Sequence, residues 1–254
     1  MRVRVVGCGE AFDSGLGNNA YLLDTGRGGR ARKRILVDCG YQVPERLWAC
    51  GVHRDIDAVY LTHTHADHAF GMVPLLGRYW VEKRQRPLAI IGHRGVASYL
   101  RKLMELGYPG MFERLAFPLD FVVPRPGASI EWGGLSLRTG RSAHPVTNFS
   151  VRFEDGLASV AFSGDGALTL ETETLYRGVD VLFHELYTVR RSIPGHTNLQ
   201  DLARYVHGAS IGTVVVSHHR RRDRTRVSGA VAAQAAAGGP TRWLTAEPDQ
   251  LIAV

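Results

Sequence analysis

The chain has 254 residues, 44% of them hydrophobic, 22% charged and 9% aromatic, with 29 Gly and 11 Pro. Those proportions are those of a globular chain and exclude disordered, collagen-like and coiled-coil classes. No apolar run approaches the ~20 residues that cross a bilayer, and Met1-Arg2-Val3-Arg4-Val5-Val6 is a strand pattern without the long apolar stretch of a signal peptide.

Short β-type runs are read at Val3–Val6, Asn19–Leu23, Ile35–Val37, Ala58–Leu61 and Leu88–Ile91, then at Phe121–Val123, Leu135–Thr139 and Ser150–Phe153. Further runs follow at Ala158–Ser163, Val179–Phe183, Thr213–Ser217 and Arg242–Leu244. Helical stretches lie at Pro44–Cys50, Ala69–Trp80, Gly95–Leu106, Leu199–Val206 and Ser228–Ala237, the last stopped by Gly238-Gly239-Pro240. Strands in clusters with helices between them, in each half of the chain, predict an α/β fold. The expected form is an αββα sandwich of two mixed β-sheets with outer helices, built as a single domain over residues 1–254. Gly7-Cys8-Gly9 and Gly15-Leu16-Gly17 lack the spacing of a dinucleotide fingerprint and the Lys of a P-loop, so they are read as a tight turn between strands.

Basic residues exceed acidic ones by 31 to 24, a net charge of +7. This gives only a weak pull toward nucleic acid, because the arginines are spread along the whole chain. Cys8, Cys39 and Cys50 form no CxxC pair and are odd in number, which predicts buried thiols in a reducing compartment, with cytoplasm as the default.

One segment decides the chemistry. The strand Ala58-Val59-Tyr60-Leu61 runs into Thr62-His63-Thr64-His65-Ala66-Asp67-His68, three His and one Asp within six residues. Imidazole and carboxylate are good ligands for zinc and related divalent metals. His63 and His65, two apart on an extended tail, point the same way, and a turn into the next helix can aim Asp67 and His68 at a second metal. Three further candidates follow runs of β type: His144 in Ser142-Ala143-His144-Pro145, Asp165 in Phe162-Ser163-Gly164-Asp165, and His218 in Val215-Val216-Ser217-His218. His219 is an alternative to His218, and strand alternation aims the two in opposite directions.

In this HxHxDH motif and the ordered residues after it, the chain resembles the metallo-β-lactamase superfamily of binuclear metallohydrolases. The resemblance implies one metal on His63, His65 and His144, and another on Asp67, His68 and His218, with Asp165 and a hydroxide between them. Two divalent ions are implied as cofactors, zinc first, with manganese or iron as alternatives. Leu182-Phe183-His184-Glu185-Leu186-Tyr187 and Pro194-Gly195-His196-Thr197-Asn198 resemble the HEAT and GHST motifs of the ribonuclease Z branch, which cleaves phosphodiesters. The likeness implies His196 as general acid, Glu185 as its partner, and His184 as a second candidate near the metals. Asp67 counts in the catalytic set as well as among the ligands. Asn198 can also cap the helix at Leu199.

The tRNA-processing enzymes of that branch carry a long arm between the motifs of His144 and Asp165, where this chain has only twenty residues. The expected substrate is therefore a small phosphodiester: a cyclic nucleotide, a cyclic phosphate or a short oligonucleotide. Precursor tRNA and nucleic acid at large are less favoured, no membrane partner is expected, and a homodimer is implied only by the resemblance. The rivals are a lactone, thioester or carboxylic-ester hydrolase on the same metals, and a nucleic-acid-binding or regulatory protein that kept the fold; the complete ligand set argues against the latter. Arg220-Arg221-Arg222-Asp223-Arg224-Thr225-Arg226 is either a phosphate clamp beside the pocket or a solvated loop, and no single arginine of the run is taken as a site residue.

Overall fold

The computed structural model describes residues 1–26 and 32–254, and they build two seven-stranded sheets. In the first, β1 (Arg2–Gly7), β2 (Ala20–Asp24), β3 (Arg34–Val37), β4 (Ala58–Leu61), β5 (Leu88–Gly92), β6 (Leu119–Val122) and β14 (Leu251–Ala253) lie in the order β14-β1-β2-β3-β4-β5-β6. In the second, β7 (Ser129–Trp132), β8 (Leu135–Arg141), β9 (Phe149–Glu154), β10 (Ser159–Phe162), β11 (Val181–Glu185), β12 (Thr213–Ser217) and β13 (Arg242–Thr245) run consecutively from β7 at one edge to β13 at the other.

Alternation along the strands explains how the layers stack. Ala58 and Tyr60 of β4 join Val160, Phe162, Phe183 and Val215 in a core between the sheets. Val59 and Leu61 face the other way, onto α1 (Val43–Ala49), α3 (Met72–Val81) and α4 (Val96–Gly107). Likewise Val214 and Val216 of β12 face outward onto α5 (Leu170–Tyr176), α6 (Leu199–Val206) and α7 (Arg224–Ala236). The helices answer with buried stripes at three- and four-residue spacing, such as Met72, Leu75, Leu76 and Tyr79 on α3. This is the αββα sandwich expected from the sequence. Among the described residues no helix is long and apolar enough to cross a membrane.

Within each sheet the pairing changes from antiparallel to parallel, at β3 in the first and at β10 in the second. Parallel strands all end at the same edge, so the segments after β3, β4, β10, β11 and β12 gather there. This is where open α/β sheets place their ligands.

Several elements differ from the sequence expectation. The single helix expected over Ala69–Trp80 is two: α2 (Ala66–Ala69) and α3, broken at Phe70-Gly71. The cause is tertiary. The backbone of Cys39-Gly40 crosses here, Gly71 N–H donates to Cys39 O at 2.8 Å, and a Cβ on Gly71 would lie 2.1 Å from Gly40 O. The helix α7 begins at Arg224 rather than Ser228 and absorbs the end of the arginine run. Strands β7 and β14 and helix α5 were not anticipated. The signal for α5 was its capping box, in which the Thr169 hydroxyl accepts from Thr172 N–H and the Thr172 hydroxyl from Thr169 N–H.

A polar network anchors α3 to the turn after α1. Glu82 accepts from Arg78 Nε at 2.7 Å and Arg54 Nε at 3.1 Å, and lies 3.2 Å from His53 Nε2. Chiefly the Arg54 bond, with Arg78 and His53 and against some desolvation, brings the Glu82 carboxyl down to about 2. A depressed carboxyl contributes stability above its unfolded pKa and loses it as the pH falls through the folded value. Glu82→Gln should therefore destabilise at pH 7 by about 1 kcal/mol after solvent screening. In urea unfolding, the gap between variant and parent should close as the pH falls from about 4.5 toward 2; a gap independent of pH would overturn this.

Candidate metal centre

Four strand ends supply the site. His63 and His65 follow β4, and α2 places Asp67 and His68 one turn on. His144 comes from the segment after β8, Asp165 follows β10, and His218 follows β12. One coordinating atom each from His63, His65, His144 and Asp165 falls within a 4.8 Å sphere of mutual distances, and a second such group is Asp67, His68, Asp165 and His218. Asp165 belongs to both.

The distances are those of groups that would repel or desolvate one another without a cation. His63 Nε2 is 3.1 Å from His65 Nδ1, which is 3.2 Å from His144 Nε2. Asp165 Oδ1 lies 3.4 Å from His68 Nε2, and Asp165 Oδ2 lies 3.6 Å from His218 Nε2 and 3.9 Å from His63 Nε2. Asp67 Oδ2 is 3.3 Å from His68 Nε2 and 3.4 Å from His218 Nε2. His68 Nε2 and Asp165 Oδ1 are buried without a hydrogen-bond partner among the described residues. Buried polar atoms are normally satisfied, so such orphans facing one another in an imidazole–carboxylate set fit a divalent cation.

The charge balance says the same. Burial would lower His218, but the carboxylates of Asp165 and Asp67 raise it to about 9. His68 is raised against burial by Asp165, Asp67 and Asp38. The carboxylates thus favour positive charge where these imidazoles converge, the charge that a cation would bring. His63 and His144 are lowered, mainly by burial, and stand ready as neutral ligands.

Three of the imidazoles, those of His63, His68 and His144, are aimed by their other nitrogen. His144 Nδ1–H donates to Gly195 O at 2.9 Å. His68 Nδ1–H donates to Asp38 Oδ2 at 2.8 Å, and Asp38 also accepts from Thr62 N–H and Thr62 Oγ1–H, each at 2.8 Å. Thr62 Oγ1 in turn sits 3.0 Å from His63 Nδ1. Such partners fix the tautomer and orientation of a ligand. Asp38 is the residue that sequence reading missed. The available signal was an Asp at a strand end followed two residues later by Gly, in Val37-Asp38-Cys39-Gly40. Asp38 and His218 both hold positive φ, 62° and 55°, a strained region for residues other than Gly that clusters at functional sites.

Glycine is required where α2 meets this turn. A Cβ on Gly40 would lie 1.9 Å from the carbonyl oxygen of Asp67. Only a residue without a side chain lets the Asp38 turn pass beneath the two ligands of α2.

A third group adjoins the second: Glu185, His196 and His218. Glu185 Oε1, fully buried at the end of β11, accepts from Thr197 N–H at 2.8 Å and Gly166 N–H at 3.2 Å, and is 3.4 Å from His196 Nδ1. Burial lowers the His196 imidazole, but the carboxylate of Glu185 close beside Nδ1 outweighs it and raises it. The His196 ring is stacked on Tyr187, centroids 4.1 Å apart, and faces the ring of His218 at 6.0 Å. Asn198 caps α6 by accepting from Asp201 N–H at 3.0 Å.

His184 is not brought to the centre, which corrects the expectation. It precedes Glu185 on β11, so alternation sends it to the outer face, where Nδ1–H donates to Glu185 O at 2.6 Å and the ring meets Tyr176 edge-on. His219 also turns away, donating Nδ1–H to Leu186 O at 2.8 Å, and burial pushes it down to about 4. The arginine run is neither of the two things expected of it alone. Arg221 pairs with buried Glu10 and Arg224 with buried Asp13, pinning the glycine-rich turn beside His218, whose N–H donates to Cys8 O at 2.8 Å.

Comparison with known proteins agrees with the fold. A family model described as anti-Pycsar protein Apyc1 matches residues 1–230. The chain is 29% identical over 210 residues to ribonuclease Z of Mycobacterium bovis, covering 73% of this chain and 75% of that one. It is 26% identical over 227 residues to the probable metallo-hydrolase YhfI of Bacillus subtilis, covering 86% of each. The YhfI crystal structure superposes with a TM-score of 0.76 over 99% of this chain and 98% of that one, at 22% identity. The short form of human tRNase Z superposes with a TM-score of 0.78, at 20% identity, over 100% and 99% of the chains. The metallo-β-lactamase fold and the ribonuclease Z-like relationship expected from the sequence are thereby shown.

Reconstituted protein should bind two divalent ions per chain by elemental analysis. Asp38→Asn, which leaves every ligand in place, should weaken metal binding by about 10–100-fold in chelator competition. Unchanged affinity in that variant would remove Asp38 from the account, and no bound metal in the parent would remove the centre.

Proposed function

This chain belongs to the anti-Pycsar protein Apyc1 family, and on that premise we propose that it is a single-domain metal-dependent phosphodiesterase acting on a small phosphodiester. The ligands would be His63, His65 and His144 for one ion and Asp67, His68 and His218 for the other, with Asp165 shared. Zinc is the metal we assign first, and the reducing cytoplasm the compartment, in keeping with three unpaired cysteines. When bound, two divalent ions supply Lewis acidity at the reacting phosphate and make hydroxide available at neutral pH.

The observation that carries the reading is the Glu185–His196 pair. An alkoxide is a poor leaving group, and a phosphodiesterase gains from an acid poised beside the reacting centre; a lactone or thioester hydrolase needs one far less. His196 is raised by Glu185 and so holds its proton more firmly than a free imidazole. Glu185, fixed by two backbone N–H groups, orients the ring through Nδ1 and leaves Nε2–H to protonate the departing oxygen. Tyr187 restricts the ring to one plane. The ribonuclease Z relatives share this chemistry by name, but here residues 145–164 form the β9–β10 hairpin, which leaves no room for a tRNA-gripping arm.

His196→Ala should cost about 10²–10⁴-fold in kcat on a cyclic nucleotide or other alkyl diester. It should cost much less on bis-p-nitrophenyl phosphate, whose leaving group departs unaided, and should leave metal content unchanged. Equal losses on both substrates would refute the general-acid role and favour an ester or thioester substrate.

A small diester should be hydrolysed while precursor tRNA is left intact. Position-specific cleavage of precursor tRNA would overturn the assignment of substrate size.

A further inference from the structure

The backbone of Asp165 is gripped from both sides. Asn148, fully buried just before β9, accepts from Asp165 N–H through Oδ1 at 3.3 Å. Ser142 Oγ–H donates to Asp165 O at 2.7 Å. The two side chains are themselves joined, since Asn148 Nδ2–H donates to Ser142 Oγ at 2.8 Å, and the three bonds close a ring around one residue. The other Nδ2–H of Asn148 donates to Ser163 O at 2.9 Å. Both donors and the acceptor of the amide are thus engaged, and a flipped amide would set its oxygen against the Ser163 carbonyl. The place needs donor and acceptor on one planar group; Asp offers no N–H and Leu offers neither.

The chain makes room for this clamp. Asp165 stands between two glycines of positive φ, Gly164 at 60° and Gly166 at 124°. A Cβ on Gly164 would lie 2.3 Å from Asn148 Oδ1, and one on Gly166 would lie 2.2 Å from Ser142 Oγ. Glycine is what lets both side chains close on the backbone. The clamp leaves the carboxylate itself to the imidazoles: Asp165 Oδ1 is buried with no hydrogen-bond partner among the described residues. The same segment reaches the first sheet, where Phe149 N–H donates to Thr62 O at 3.0 Å, one residue before His63. Ser142 stands two residues before His144. Ligand-bearing segments of both sheets therefore meet at residues 148–149.

We infer that Asn148, acting through Ser142, is the positioning residue that sets the Asp165 carboxylate between the two ions. The inference rests on the metal-centre reading and adds to it a device for the shared ligand alone. His63, His68 and His144 have other supports, in Thr62, Asp38 and Gly195. Without the clamp the ions should still find their imidazoles but no longer be held in register by one carboxylate.

The test is electron paramagnetic resonance of protein loaded with two equivalents of manganese(II), with stoichiometry from elemental analysis and affinity from chelator competition. Manganese ions sharing a carboxylate are spin-coupled and give a multiline spectrum, distinct from the six lines of an isolated ion. The parent should show the coupled spectrum. Ser142→Ala, and more strongly Asn148→Ala, should convert it toward six lines and weaken binding of one ion by about 10–100-fold. Because the ring acts as a unit, the double variant should be little worse than Asn148→Ala. Tyr176→Phe, which deletes the 2.6 Å bond to Ser150 Oγ in the network behind Ser163, is the control for lost stability and should keep the coupled spectrum. If Asn148→Ala does not fold, Ser142→Ala, which removes a single hydroxyl, decides alone. A coupled spectrum unchanged in the clamp variants, or lost equally in Tyr176→Phe, overturns the role of Asn148 while the centre stands. A parent that binds two manganese ions without coupling overturns the shared carboxylate, and a parent that binds none overturns the centre beneath it.

Discussion

The buried carboxylate of Asp38 is the contact on which the metal centre turns. It receives hydrogen bonds from Thr62 at the end of β4 and from His68 on α2, and so fixes both ends of the segment that carries four candidate ligands. A carboxylate without solvent is costly unless its oxygens are fully engaged. Here that cost is met by the same groups that must be held still. The turn can form only because Gly40 lets the backbone of α2 approach.

From this contact the organisation of the two sheets follows. Each sheet changes from antiparallel to parallel pairing part-way across; the parallel parts present successive strand ends on the same side, and β8, two strands from β10, ends there too and brings His144. The first sheet contributes one rigid motif with four ligands in a row; the second contributes Asp165, Glu185 and His218 from three successive strands. The rigidity of strand ends suits a site that must hold distances to a fraction of an ångström.

Much of this was legible in the sequence, and the reasons are local. Period-two alternation marks the buried strands, and the HxHxDH spacing at the end of β4 can hardly arise from solvated histidines. His184 shows where a motif misleads: two neighbours on a strand cannot both face one site, and alternation alone separates it from Glu185. What was not legible depends on contacts distant in sequence. The break at Gly71 is imposed by residues 39–40, Arg221 and Arg224 of the arginine run pair with Glu10 and Asp13 some 210 residues earlier, and β14 is three residues that become a strand only against β1. Asp38 looks like any loop aspartate until Thr62 and His68 arrive beside it.

The division of ligands between the sheets has a consequence for biogenesis. On the ribosome, residues 63–68 emerge well before His144, Asp165 and His218, so the nascent first sheet offers an ion four donors and no shared carboxylate. A polypeptide in that condition holds metal loosely and exchanges it. Firm retention would begin once β10 to β12 have docked, when an ion held by both groups would join two sheets that already meet through apolar contacts and through the hydroxyls of Tyr60 and Tyr21. A metal held by both groups would thus be chosen late, by a nearly finished protein.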